Sequence, residues 1–109
     1  MGEKDARYSE EVGLFANELV DTLAPLGELS WRKMFGGAGI FVDGSMFALV
    51  DSSARLHLKV ADANRARFDE ADSERHGRMP YFAVPDEVLS DDEALREWAA
   101  TSVAVARAG

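Results

Sequence analysis

Asp43-Gly44 sits between two apolar runs, and a glycine cluster and a basic pair precede it in the stretch Arg32 to Val50. A two-residue type I′ turn needs positive φ at both central residues, and Asp-Gly is among the few pairs that accept this. The stretch therefore predicts two adjacent antiparallel strands, Ala38–Val42 and Met46–Val50. A lone hairpin is marginal in water. The flanking sequence must add strands and cover one face.

It has the patterns to do so. Trp31–Phe35 reads as a strand before the hairpin, and Arg55–Val60 as one after it. In the latter, Leu56, Leu58 and Val60 alternate with Arg55, His57 and Lys59, which predicts one face on the core and one face wet. Met79–Val84 reads as a fifth strand, placed at an edge because Pro80 lacks a ladder donor. Val12, Phe15, Ala16, Leu19, Val20 and Leu23 recur at helical spacing and predict a helix over Tyr8–Leu23. Gly13 inside it calls for a close neighbour. A second helix is expected over Asp62–Ala71. A third is expected over Asp91–Ala106, opened by a Ser90/Glu93 capping box, with Leu95, Trp98, Ala99, Ser102 and Ala106 inward. The order α-β-β-β-β-α-β-α predicts an α+β fold, an antiparallel sheet of about five strands with helices packed on one face. The aromatics Trp31, Phe41, Phe47, Tyr81, Phe82 and Trp98 are assigned to its core.

The 109 residues suit one domain, with residues 1–7 expected to fray. No apolar run approaches the roughly 20 residues that cross a bilayer, and no secretory h-region follows the N-terminus. Cysteine is absent, which removes disulfides and thiolate chemistry and makes a cytoplasmic location the expectation. A net charge of −8 argues against direct nucleic-acid binding, because Lys and Arg supply most of that affinity. Between Asp86 and Glu97 the acid concentrates; it reads as a solvated helix face or a docking surface for a basic partner.

No motif carries a reaction. Gly36-Gly37-Ala38-Gly39 lacks the Gly-Lys-Ser/Thr ending of a phosphate loop and leads into a strand. It reads as a close backbone approach between strands. His57 and His76 have no ligand spacing to each other, and no nucleophile has an activating context. No catalytic residue, cofactor or metal is expected. The remaining candidate is a basic strip on the open sheet face, Arg32, Arg55, His57 and Lys59. It would serve a protein partner or, alternatively, a small anionic ligand or an uncharacterised enzyme activity. A one-sheet domain also leaves a face or edge that a second copy could cover, so a homodimer is an expectation.

Several segments together resemble the N-terminal domain of the TfoX/Sxy competence regulators. They are Leu23-Ala24-Pro25-Leu26-Gly27, the run Arg32 to Gly39, the run Asp43 to Val50, Leu56 to Val60 with Asn64-Arg65, Met79-Pro80-Tyr81-Phe82 with Val84-Pro85, and Leu95 to Ala99. The resemblance implies a secretion-chaperone-like α+β fold, often dimeric, and a non-enzymatic regulatory role. Two-domain members act as co-activators with the cyclic-AMP receptor protein, so the implied partner is a transcription factor. Those members carry a helical second module; the resemblance here is to the stand-alone N-terminal-domain form, in which that module is not expected. Between Asp69 and Met79 the chain is shorter than the family pattern and lacks its Gly-x-x-Pro-Phe stretch.

Overall fold

Asp43 and Gly44 have φ of 49° and 84°, the left-handed pair a type I′ hairpin demands. They join β2 (Gly37–Val42) to β3 (Ser45–Val50). The ladder is extended by β1 (Leu29–Met34), β4 (Leu56–Lys59) and β5 (Tyr81–Ala83). Strand order is β1-β2-β3-β4-β5, every neighbouring pair antiparallel. The computed structural model describes the backbone of residues 2–34 and 36–109, and side chains from residue 10 onward within that span. The expected strand end at Phe35 lies outside the described residues, as do the side chains of residues 1–9.

The helices are α1 (Gly2–Leu23), α2 (Arg65–Glu70), α3 (Asp86–Leu89) and α4 (Asp92–Ala108). All four contribute to one core on one face of the sheet. Val12, Ala16, Leu19 and Leu23 of α1 and Leu95, Ala99, Val103 and Ala106 of α4 meet Ile40, Val42, Phe47, Leu56 and Leu58 there, joined by Phe68 and Val88. The chain is thus an α+β protein with a five-stranded antiparallel sheet. Gly13 has a close neighbour in the Trp31 ring, 3.4 Å from where a Cβ would stand, an ordinary contact distance that does not itself demand glycine. The Trp31 indole N–H donates to Asn17 Oδ1 at 2.8 Å, fastening β1 to α1.

Register fixes what each face presents. Trp31, Ile40, Ala48, Leu58 and Phe82 pair in one row across the strands, toward the helices. The next row, Arg32, Gly39, Leu49, His57 and Ala83, looks the other way. A β-bulge interrupts β3: Ile40 pairs with Ala48 but Phe41 with Met46, so Phe47 is an extra residue. Phe47 and Ala48 are both fully buried in the core, because a bulge turns two successive side chains to one side.

Three local expectations need correction. Phe41 is not a core residue: it alternates with Ile40 and Val42, falls on the open face and is half-buried; Tyr81 is buried as expected, at 5% exposure, but on the face away from the helices. Helix α1 begins at Gly2, ahead of Tyr8; Glu3, Lys4, Ala6 and Arg7 are good helix formers and nothing breaks the run. Helix α4 is capped by Asp91, whose Oδ1 accepts the Glu93 and Ala94 amides at 3.0 and 3.2 Å. Ser90 cannot cap it because Ser90 ends α3, donating its hydroxyl to the Glu87 carbonyl at 3.2 Å.

Candidate functional site

With the helices gathered on one side, the opposite sheet face is left to its own side chains, and its two ends differ. At the β1–β2 end the Arg32 guanidinium lies over the Phe41 ring, 4.9 Å from its centroid. Beside them the thioethers of Met34 and Met46 converge on Gly39. A Cβ there would sit 3.0 Å from the Met46 sulfur and 3.2 Å from the Phe41 ring, and closer still to Met34. Glycine is the residue that lets these side chains lie flat on the strand. A shallow hollow of about 180 Å³ opens between Ser30, Arg32, Phe41 and Gly44. Arg32 and Lys33 are both exposed.

The β4–β5 end is covered. Residues 74–76 fold back as an arm along β5. The Ala83 amide donates to the Glu74 carbonyl and the His76 amide to the Tyr81 carbonyl, both at 2.8 Å. Arg75 braces the turn that follows, its guanidinium donating to the Met79 and Arg78 carbonyls at 3.0 and 2.7 Å. This arm sets the His76 ring edge-on to His57, with centroids 4.9 Å apart. It also buries His57 to 5% exposure, which corrects the expectation of a wet strand face there. Asp51 completes the group: ligand-type atoms of Asp51, His57 and His76 all lie within 4.8 Å of one another.

Hydrogen bonds orient these groups. His57 Nδ1 lies 3.1 Å from the Arg55 carbonyl, so that nitrogen carries the proton and Nε2 keeps the lone pair. Asp51 Oδ1 accepts the Ser53 and Arg55 amides, each at 2.9 Å, which latches the β3–β4 turn and leaves Oδ2 free of that duty. Burial holds the His57 pKa below its ordinary value. The Arg55 carbonyl and Asp51 pull it back up, and the His76 and Arg55 charges push it down. A cavity of about 280 Å³ adjoins the group, lined by Met34, Leu49, Ser52 and Met79 along with Asp51 and His76. The sequence offers no local signal for this cluster, because its members come from a turn, a strand and a returning arm.

The fold separates Arg32, Arg55, His57 and Lys59. Gly39 and Leu49 stand between Arg32 and His57 in the register row, a gap of about 14 Å at ordinary strand spacing. Arg55 is exposed at a cleft it shares with Asp72, Glu74, Asp86 and Glu87. Lys59 is half-buried beside an apolar groove between the 61–64 turn and α4. Buried Asn64 forms the floor of that corner. Its Nδ2 donates to the Lys59 carbonyl at 3.0 Å and to Thr101 Oγ1 at 3.2 Å, and its Oδ1 accepts the Ala61 amide at 2.8 Å. Ser102 Oγ donates to the same Lys59 carbonyl at 2.8 Å. This is a structural knot, and asparagine at that position gives no sign of burial by residue type.

The residues Asp86, Glu87, Asp91, Asp92, Glu93 and Glu97 are all exposed along α3 and α4. No helix among the described residues is long and apolar enough to cross a membrane.

Comparison with known proteins gives these features a lineage. A segment of the chain is 42% identical over 50 residues to the DNA transformation protein TfoX1 of Aliivibrio fischeri, covering 46% of this chain and 23% of that protein. The family model described as TfoX N-terminal domain matches residues 21–106, from the end of α1 to the last turn of α4. The chain therefore belongs to the TfoX N-terminal domain family.

Proposed function

We propose that this chain is a non-enzymatic regulatory domain in the control of DNA transformation, and that it docks a partner protein on the β1–β2 end of its open sheet face. The observation that carries the docking site is the Arg32 guanidinium over the Phe41 ring, with the thioethers of Met34 and Met46 converging on neighbouring Gly39. Arginine, methionine and aromatic side chains are the types enriched at protein interfaces, and thioethers adapt to varied apolar partners.

Charge chooses the occupant. Arg32 is an exposed cation on the open face of a body of net charge −8, so it attracts an acidic segment that the rest of the surface repels. β1 is a terminal strand, and its outer backbone groups can accept an added strand. The partner we name is a transcription factor presenting an acidic, partly apolar segment, in keeping with a relative that bears a DNA transformation name.

Calorimetric titration against the cyclic-AMP receptor protein tests this with Arg32→Glu and Met46→Glu. Each substitution should weaken binding by about tenfold or more, the range of an interface anchor. Undiminished affinity in both variants overturns the docking site. A wild-type chain with no affinity overturns the choice of partner.

A further inference from the structure

We propose that Asp51, His57 and His76 form a binding site for a divalent first-row transition-metal ion of the zinc type, with an open coordination position facing the cavity beside Met34 and Met79. The site is built on the β3–β4 turn, β4 and the arm, sharing only the Met34 wall of its cavity with the docking patch, and it does not depend on that reading.

Four observations carry it. The donor set is two imidazoles and one carboxylate, which suits zinc and its first-row neighbours; calcium and magnesium prefer oxygen alone. The three ligand-type atoms already converge to within 4.8 Å. Zinc bonds of about 2.0–2.2 Å put tetrahedral ligand atoms roughly 3.3 Å apart, so closure requires a shift of an ångström or so. The arm bearing His76 is anchored by backbone bonds at its base while its ring is partly exposed, so side-chain rotation supplies that shift.

The donors are also oriented as metal ligands are. His57 Nδ1 is engaged by a backbone carbonyl at 3.1 Å, and among the described residues Nε2 has no hydrogen-bond partner. Asp51 Oδ1 is held by two backbone amides. Such outer hydrogen bonds fix the tautomer and the carboxylate direction at metal centres. Finally, His57 is buried against a second imidazole and a carboxylate. A cation shared by all three engages the His57 Nε2 lone pair, which has no hydrogen-bond partner among the described residues.

The ion would clamp three segments distant in sequence: the β3–β4 turn, β4 and the arm of residues 74–76.

The test is titration of chelator-treated full chain with Zn²⁺ and, separately, Co²⁺, in excess Mg²⁺ to silence the acidic surface. The expected result is one ion per chain, visible ligand-field bands with Co²⁺, and Zn²⁺-induced shifts of the ring nitrogens of both histidines. His76→Ala should lower the affinity by about tenfold or more, the scale of losses at metal-site residues. His76 is the chosen position because Asp51 also latches a turn. Circular dichroism verifies that the variant folds; if it does not, the ring-nitrogen shifts of the wild-type chain decide. Absence of binding, binding undiminished in a folded His76→Ala chain, or a wild-type chain whose ring nitrogens stay unshifted would overturn the site.

Discussion

The His76 ring stands edge-on to His57 of β4 at 4.9 Å, on an arm whose backbone is hydrogen-bonded to β5. The contact makes the metal-free chain sensitive to acid. Burial holds the His57 pKa below 6.5, with Asp51 and the Arg55 carbonyl opposing and His76 and Arg55 reinforcing. A depressed pKa means that the unfolded chain takes up the proton first. The stabilisation is therefore complete above pH 6.5 and is lost as pH falls from there through the folded-state value. Urea unfolding in the presence of chelator should show the midpoint falling across that window. His57→Gln should flatten the fall.

Asn64 is the position where a small change should cost most outside the apolar core. Asn64→Ala leaves the Ala61 amide without its side-chain acceptor and takes one of two donors from the Lys59 carbonyl. Losing partners for partly buried backbone groups costs about 1–3 kcal/mol. Thermal unfolding should register a drop of roughly 4–8 °C for each kcal/mol in a chain of this size. A melting temperature equal to wild type would mean that the knot is solvated.

Gly37 and Gly39 should respond differently to alanine. At Gly37 the added methyl meets the Val50 carbonyl, which is backbone and cannot turn aside. Gly37→Ala should destabilise by about 1–3 kcal/mol or shift the β2–β3 register, the penalty of overpacking. At Gly39 the obstacle is the ends of Met34 and Met46, with the Phe41 ring next to them. Thioethers have rotamers to spare. Gly39→Ala should fold with a smaller loss, yet spread the patch around Arg32 and weaken partner binding. Denaturation curves and partner titrations of both variants check this ordering.

Local chemistry was readable wherever one residue type answers one backbone demand. Asp43-Gly44 meets the positive φ of its turn, and Leu56, Leu58 and Val60 alternate onto the core as strand geometry requires. The helix stripes of α1 and α4 follow from spacing alone. What stayed hidden depends on contacts between distant segments. The side of Phe41 and Tyr81 is set by strict alternation and cannot be inferred from aromatic character. The extra residue Phe47 is invisible without its β2 partner. His57 looks like a wet strand residue until the 74–76 arm adds itself beside β5, and its approach to Asp51 and His76 follows from that arm. Asn64 is buried because α4 brings Thr101 and Ser102 over it, a packing event with no local signature.

The central claim is that the β1–β2 end of the open face carries the regulatory contact. Methyl NMR of methionine-labelled chain, titrated with the cyclic-AMP receptor protein, tests it most directly, since Met34 and Met46 converge on Gly39 beside the Phe41 ring, while Met79 lines the cavity next to His76. The account predicts that the Met34 and Met46 methyl signals shift or broaden first and saturate with the complex. Unmoved methyl signals, with the amides of Asp86 to Glu97 shifting in their place, would put the contact on the acidic helices and contradict it.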